Sequence, residues 1–347
     1  MAKTTAPQTY TWSTGFSGPW SLGAEWVLTG TAGGGGGGRA GGGGGGGGGG
    51  LGGAGVFPGG GALPDPNTVV IIDAPVAVSG TSPYTVKDDV SVKLGSLRIA
   101  SPDAILAIDP NKVLTASQVF LNAGTIAVDS SGADLVTGFL KSLPGSAIDV
   151  SSGGTLTFLT GNPGSFDLGG TLESTAGIGV VAGAGAILDG PGTIIANGGT
   201  LDVRPGLAVD QTGRTPTLEV SNLPGSTLEL ESIIAPGTGF TFLYGGGTFA
   251  GTLLLETAAA RASFESNGTI TGMHVGASAS LPTDVVDLAG VAPTSFTSGA
   301  LVNGTTIDLF NGAAVVDHFT LAAAPPAGTA VGWVADGTGG TDVFLWR

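Results

Sequence analysis

Few residues in this chain are of a type that does chemistry, and their spacing limits what that chemistry is. Asp88 and Asp89, in "VKDDVSV", are side-by-side acids. Hydrolysis of a polysaccharide needs carboxyl groups converging on one bond, with Lys, Arg or His nearby. Successive strand residues point to opposite faces, so these two are expected at a turn or strand edge and not in a shared site. The two histidines are His274, in "GMHVGA", and His318, in "VVDHFTL". Neither has metal-ligand spacing to a second histidine, and Asp317-His318 is divided between two faces by the same alternation. No G-x-S-x-G elbow or P-loop lysine occurs, and G-x-G-x-x-G matches carry no weight among 67 glycines. No catalytic residue is assigned, and the chain is not expected to be an enzyme.

A second set of acids sits differently. Asp149, Asp202, Glu219 and Glu229 each lie between two apolar residues of a strand-like segment, so they point outward. Stacked on one face they would form a carboxylate ladder able to collect calcium, whose ligands are oxygens. "DGTGGTD", with Asp336 and Asp342, weakly imitates a calcium-binding repeat. The simpler role for such acids is a solvated face that discourages sideways pairing of sheets. Calcium is the one ion considered, and no organic cofactor is expected.

The elements that carry these residues are short and repetitive. From about residue 94 to 272 a turn with Gly, Asn or Pro is followed by a small residue and then apolar, any, apolar, as in "NAGTIAV", "GGTLTF", "GGTLDV" and "GSTLEL". Apolar residues two apart share a strand face. No spacing of three and four is sustained, so no helix is expected. The chain reads as all-β, and the recurring units fit a β-solenoid (β-helix) better than a sandwich. At about 20 residues a coil this zone makes roughly nine coils, a rod about 45 Å long.

The parts read in order as an N-terminal Trp-rich cap over 1–32, a Gly-rich loop insertion over 33–62, the solenoid over 63–283 and a C-terminal β cap over 284–347. Trp12, Trp20 and Trp26 in the first segment are of the size a solenoid end needs for cover. The insertion is a flexible spacer or an extended three-residue helix whose bare backbones, at Gly41, Gly45 and Gly50 for example, pack between subunits.

Only 11% of residues are charged and the net charge is -15, a balance that disfavours nucleic acid and anionic membranes. There are no cysteines, which excludes thiol chemistry and disulfides. No uncharged run reaches the roughly 20 apolar residues of a membrane span. The opening "MAKTTAPQTYTW" lacks the pattern of a secretory signal, so any export is expected by another route.

"TWSTGFSGPWSLGAEW", "LPDPNTVVIIDAPVAVSGTSPYTV" and "VSVKLGSLRIASPDAILAI", with the ending "DVVDLAGVAPTSF" to "WVADGTGGTDVFLW", resemble large β-solenoid, adhesin-like surface proteins of Gram-negative bacteria. The last residues, Asp342 followed by Val343, Phe344, Leu345 and Trp346, are similar to the uncleaved tail signal of type I secretion substrates. The resemblance implies an extracellular or cell-surface location. The C-terminal block is too short for an autotransporter barrel.

The expected function is a non-enzymatic extracellular structural protein whose copies join head to tail into surface fibres or a biofilm matrix, since a solenoid with two open ends stacks on itself. One alternative is an adhesin that stacks Trp12, Trp20 and Trp26 on surface polysaccharide. Another is a polysaccharide-cleaving β-helix.

Overall fold

The structure is a computed structural model and describes residues 8–12, 17–21, 26–31, 67–74, 83–159, 165–183, 185–208, 213–243, 251–280 and 282–347. Gly41, Gly45 and Gly50 lie outside the described residues. The N-terminal strands are β1 (Gln8–Trp12), β2 (Gly18–Pro19) and β3 (Trp26–Thr31). The first coils use β4 (Val69–Ile72), β5 (Tyr84–Asp88), β6 (Val92–Ile99), β7 (Ala104–Ile108), β8 (Val113–Leu121) and β9 (Thr125–Val128). Shorter strands follow: β10 (Asp134–Thr137), β11 (Leu140–Ser142), β12 (Ala147–Val150), β13 (Thr155–Phe158), β14 (Ser165–Leu168) and β15 (Thr171–Ser174). The stack continues through β16 (Ile178–Ala182), β17 (Ile187–Asp189), β18 (Thr193–Ala196), β19 (Thr200–Val203), β20 (Gly206–Leu207), β21 (Thr217–Val220) and β22 (Thr227–Leu230). It ends with β23 (Gly239–Phe242), β24 (Thr252–Leu255), α1 (Ala258–Asn267), β25 (Thr269–Thr271), β26 (Val275–Gly276) and β27 (Val285–Leu288). The last elements are β28 (Ser298–Val302), β29 (Thr306–Asn311), β30 (Ala314–Thr320), β31 (Ala330–Ala335) and β32 (Thr341–Trp346).

Among the described residues strands make up 53% and helix 5%, and the parallel strands stack into a β-solenoid of about 7 turns. The cause is the alternation of small polar and aliphatic residues between tight turns. In β15, β18 and β21 the second residue is buried and its neighbours are not fully so. Parallel register then stacks the buried positions: Val86, Leu106, Ile126, Ile148, Leu172, Ile194, Leu218, Phe240 and Ile270 lie one above another. Each aliphatic rung taken from water stabilises the stack by roughly 1.5–3 kcal/mol.

Coils are longer than the expected 20 residues, which is why about seven form where nine were expected. The step between paired residues grows from Tyr84↔Ala104 to Thr200↔Thr227 and Thr252↔Val285. From β8 onward the larger sheet has two strands per coil, because β10 and β11 both pair with β8. Two glycines, Gly154 at a corner and Gly179 within β16, let successive coils approach: a Cβ on either would sit 1.6 Å from the carbonyl oxygen of Val128 or Val150.

Helix α1 departs from the sequence expectation. It occupies the coil between β24 and β25 and buries Ala260 and Phe264, with the Phe264 ring near Phe240 and Phe319. "TAAARASFESN" has an alanine run with high helix propensity, and the Thr257 hydroxyl caps it by accepting from the Ala260 N–H at 3.0 Å.

Both ends of the solenoid finish in antiparallel strands rather than open rungs. At the start, β1 joins β4 in parallel and β3 antiparallel. At the finish, β27 adds one more parallel strand beyond β24, β32 pairs antiparallel with β27, and β31 lies outside β32. The β28–β30 meander packs beside this end, and Leu321, just after it, bridges to Ile270.

Candidate functional site

The outward carboxylates do stack, in part. Asp202 on β19 pairs in register with Glu229 on β22, and Arg204 and Glu231 follow one residue beyond each strand. One oxygen each from Asp202, Glu229 and Glu231 lies within 4.8 Å of the others. Arg204 donates from Nε and Nη2 to Asp202 Oδ2, at 2.9 and 2.7 Å, and its Nε lies 3.4 Å from Glu231 Oε1. Asp202 is only 5% exposed, and its Oδ1 is buried with no hydrogen-bond partner among the described residues. Burial pushes the Glu229 carboxyl up to about 7, helped by the charges of Asp202, Glu256 and Glu231 and opposed by Arg204. Glu231 is also raised, by burial and by Asp202.

The acidic stripe continues to the end of the stack. After Glu229 the column runs through Leu254 to Asp287, and Asp287 meets Asp342 across the antiparallel β27–β32 pair. Burial, then the charges of Asp342, Asp336 and Glu256, push Asp287 up to about 7. Beside the Arg204–Glu231 edge lies a groove of about 630 Å³ with Ile187 and Ile233 on its walls, 41% and 61% exposed.

The other two acids of the expected ladder belong to the smaller sheet. Asp149 lies opposite Glu173 and accepts a hydrogen bond from the Thr175 hydroxyl at 2.9 Å. Glu219 is separated from Glu173 by Ile195. The four therefore form two short ladders on different faces.

Asp88 and Asp89 point apart. Asp88 faces the core at 0% exposure, and burial, then Asp89 and Asp109, push it up to about 8. Asp89 accepts from the Ser21 N–H and hydroxyl, tying the N-terminal segment to the coil. His274 donates its backbone N–H to Asp284 Oδ2 at 2.8 Å, with Nδ1 at 3.4 Å from the same oxygen. His318 pairs across the meander with Asp308, while Asp317 takes Arg261 at 3.1 Å.

Asp336 is held by its own loop. Its Oδ1 accepts from the N–H groups of Thr338, Gly339 and Gly340 and its Oδ2 from the Thr338 hydroxyl. Burial acts to raise its pKa, but these bonds, led by those of Thr338, hold it below the usual value. Asp342 is raised by burial and by Asp336.

Trp12, Trp20 and Trp26 are 0%, 1% and 2% exposed, with ring centroids 5.0 Å (Trp12–Trp26) and 4.8 Å (Trp20–Trp26) apart. They are packed into the first end of the core. Val343, Phe344 and Leu345 are likewise buried in β32, with Asp342 and Trp346 partly exposed.

Arg204, Glu231, Glu256 and Asp287 were not singled out from sequence. A signal existed: aligning "TLDVR" on "TLELE" at their Thr-Leu starts places Asp202 over Glu229 and Arg204 over Glu231. No protein-family model, curated protein or solved structure matches this chain.

Proposed function

We propose that the chain is a non-enzymatic structural protein of the cell surface or extracellular matrix, whose copies associate head to tail into fibres. The observation that carries this reading is the form of the larger sheet's two ends. At one end lies β3, "WVLTGT", joined to β1; at the other lies β31, "AVGWVA", joined to β32. Each is six residues long, and neither contains a charge or a proline. Protected edges normally carry such residues, because an unpaired row of N–H and C=O groups is a template for another strand. A second copy stacked on the axis continues the sheet from β31 to β3, an open heterologous contact that propagates.

The experiment is electron microscopy and light scattering of the purified full chain across concentration. Fibres or a concentration-dependent mass are expected, and Val334→Lys, which charges the β31 edge, should shorten them. Uniform monomers at every concentration, or fibres unchanged by an edge charge, would remove the reading. Export through Asp342–Trp346 belongs to the same proposal; loss of the chain from the medium on swapping that segment for a neutral strand-forming sequence is the expected result.

A second reading, cleavage of a polysaccharide, is favoured by one observation: Glu229, pushed up to about 7, stands beside Asp202, and Arg204 and Glu231 of the same cluster line a groove. A pair of neighbouring carboxyl groups is what glycosidic cleavage uses. Release of reducing ends or unsaturated products from uronic-acid polymers, lost in Glu229→Gln, is its test.

A further inference from the structure

We propose that Asp202, Glu229 and Glu231 form a binding site for one divalent, oxygen-preferring cation of the calcium class. This goes beyond fibre formation and does not depend on it. The three ligand oxygens already lie within 4.8 Å of one another: the β19–β22 register sets Asp202 beside Glu229, and Glu231 follows one residue past the end of β22. Three carboxylates face a single guanidinium. Arg204 bonds Asp202 and Glu231 but acts on Glu229 only through its charge.

The independent sign of a missing partner is Asp202 Oδ1. Its residue is 5% exposed and stands opposite Glu229 in the register, and while Arg204 bonds Oδ2, Oδ1 receives no hydrogen bond among the described residues. A buried carboxylate oxygen without a donor is costly, and folded proteins satisfy such atoms with a donor or an ion. Buried oxygens of Asp88, Asp149 and Asp287 also lack a donor among the described residues, but of these acids only Asp202 stands in a group of three whose ligand oxygens converge within 4.8 Å; Asp336 is instead held by three backbone N–H groups and a hydroxyl.

The ligand type selects the ion. All three donors are carboxylates, with no His or Cys among them, which favours calcium, magnesium or manganese over zinc or copper. Calcium accepts 6–8 oxygens in flexible geometry, so three carboxylates completed by water suit it better than the strict octahedron of magnesium. Arg204 is then a built-in competitor, occupying part of the site until the cation displaces its Nε from Glu231.

Isothermal titration of chelator-treated full-length protein with calcium chloride, and separately with magnesium chloride, tests this. One saturable calcium site per chain is expected, with magnesium weaker. Glu229→Gln and Glu231→Gln should each weaken calcium binding by about tenfold or more, as loss of a charged oxygen ligand implies. Arg204→Gln should tighten it, an outcome a merely structural arginine would not produce. Asp149→Asn, on the other sheet, should leave it unchanged. Both glutamates are partly exposed, so their variants are expected to keep the wild-type circular dichroism. Wild-type protein without saturable binding at millimolar calcium, or a folded Glu229→Gln/Glu231→Gln double variant that still binds, overturns the proposal.

Discussion

Asp342 on the closing strand β32 stands directly opposite Asp287 on β27, the last parallel strand of the stack. Like charges in that position destabilise a sheet pair. Here the cost is reduced because Asp287 is half-buried and pushed up to about 7, first by burial and then by Asp342, Asp336 and Glu256. Since its folded value exceeds its unfolded one, the folded state binds the extra proton. Stability from this group is therefore full below the unfolded carboxylate value and is lost as pH rises from about 4 through about 7. Asp287→Asn should raise stability at pH 8 by about 1–2 kcal/mol, discounted because the group is only half-buried, and change little at pH 4. Denaturant melts at the two pH values check this, and an equal effect at both would reject it.

Asp88 makes the same argument at the other end of the molecule. It faces the core at 0% exposure and is held near 8 mainly by burial, so it is neutral at neutral pH. The stability it contributes as the neutral acid is lost as pH rises through about 8. Wild-type protein should lose on the order of a few kcal/mol between pH 6 and 9.5, and Asp88→Asn should flatten that profile. Tryptophan fluorescence is a suitable probe, because the Trp20 N–H bonds the carbonyl of Lys87, next to Asp88.

Two glycines should separate close approach from conformational freedom. Gly179→Ala drives a Cβ to 1.6 Å from the Val150 oxygen, and the coils must part. A loss of about 3 kcal/mol or more is expected, at the severe end for overpacking. Gly145 has φ 86° with nothing within 4 Å of an added Cβ, so Gly145→Ala carries only the left-handed strain of about 1–2 kcal/mol. Equal losses in urea melts would show that the coils at Gly179 yield easily.

Phe264 is the pin of α1. At 1% exposure it lies between Phe240 of the solenoid and Phe319 of the meander. Phe264→Ala should cost about 3–5 kcal/mol. Hydrogen exchange should speed up first in α1 and β30, with the coils around β12 and β15 unaffected, because a solenoid couples mainly to its neighbours.

The strands were legible because their signal is local. "GSTLEL" names a corner, two inward positions and an outward acid, and β22 has that form. The opposed directions of Asp88 and Asp89 followed from the same alternation. The helix was missed because its inward face shows only Ala260 and Phe264, too brief a pattern to outweigh the surrounding strand repeats. The burial of Trp12, Trp20 and Trp26 against one another depends on the β1–β3 pairing, which no single segment displays.

Alternation and corner chemistry, read from the chain alone, determined that this is an all-β stack with an aliphatic interior, since those features need no knowledge of distant residues. Which outward acids became neighbours was decided only in three dimensions. Coil length varies, so Asp202 meets Glu229 after 27 residues while Asp149 meets Glu173 after 24, on a different face. The antiparallel strand at the far end of the larger sheet was settled the same way, because β32 reaches β27 only after the chain has built the meander and turned back.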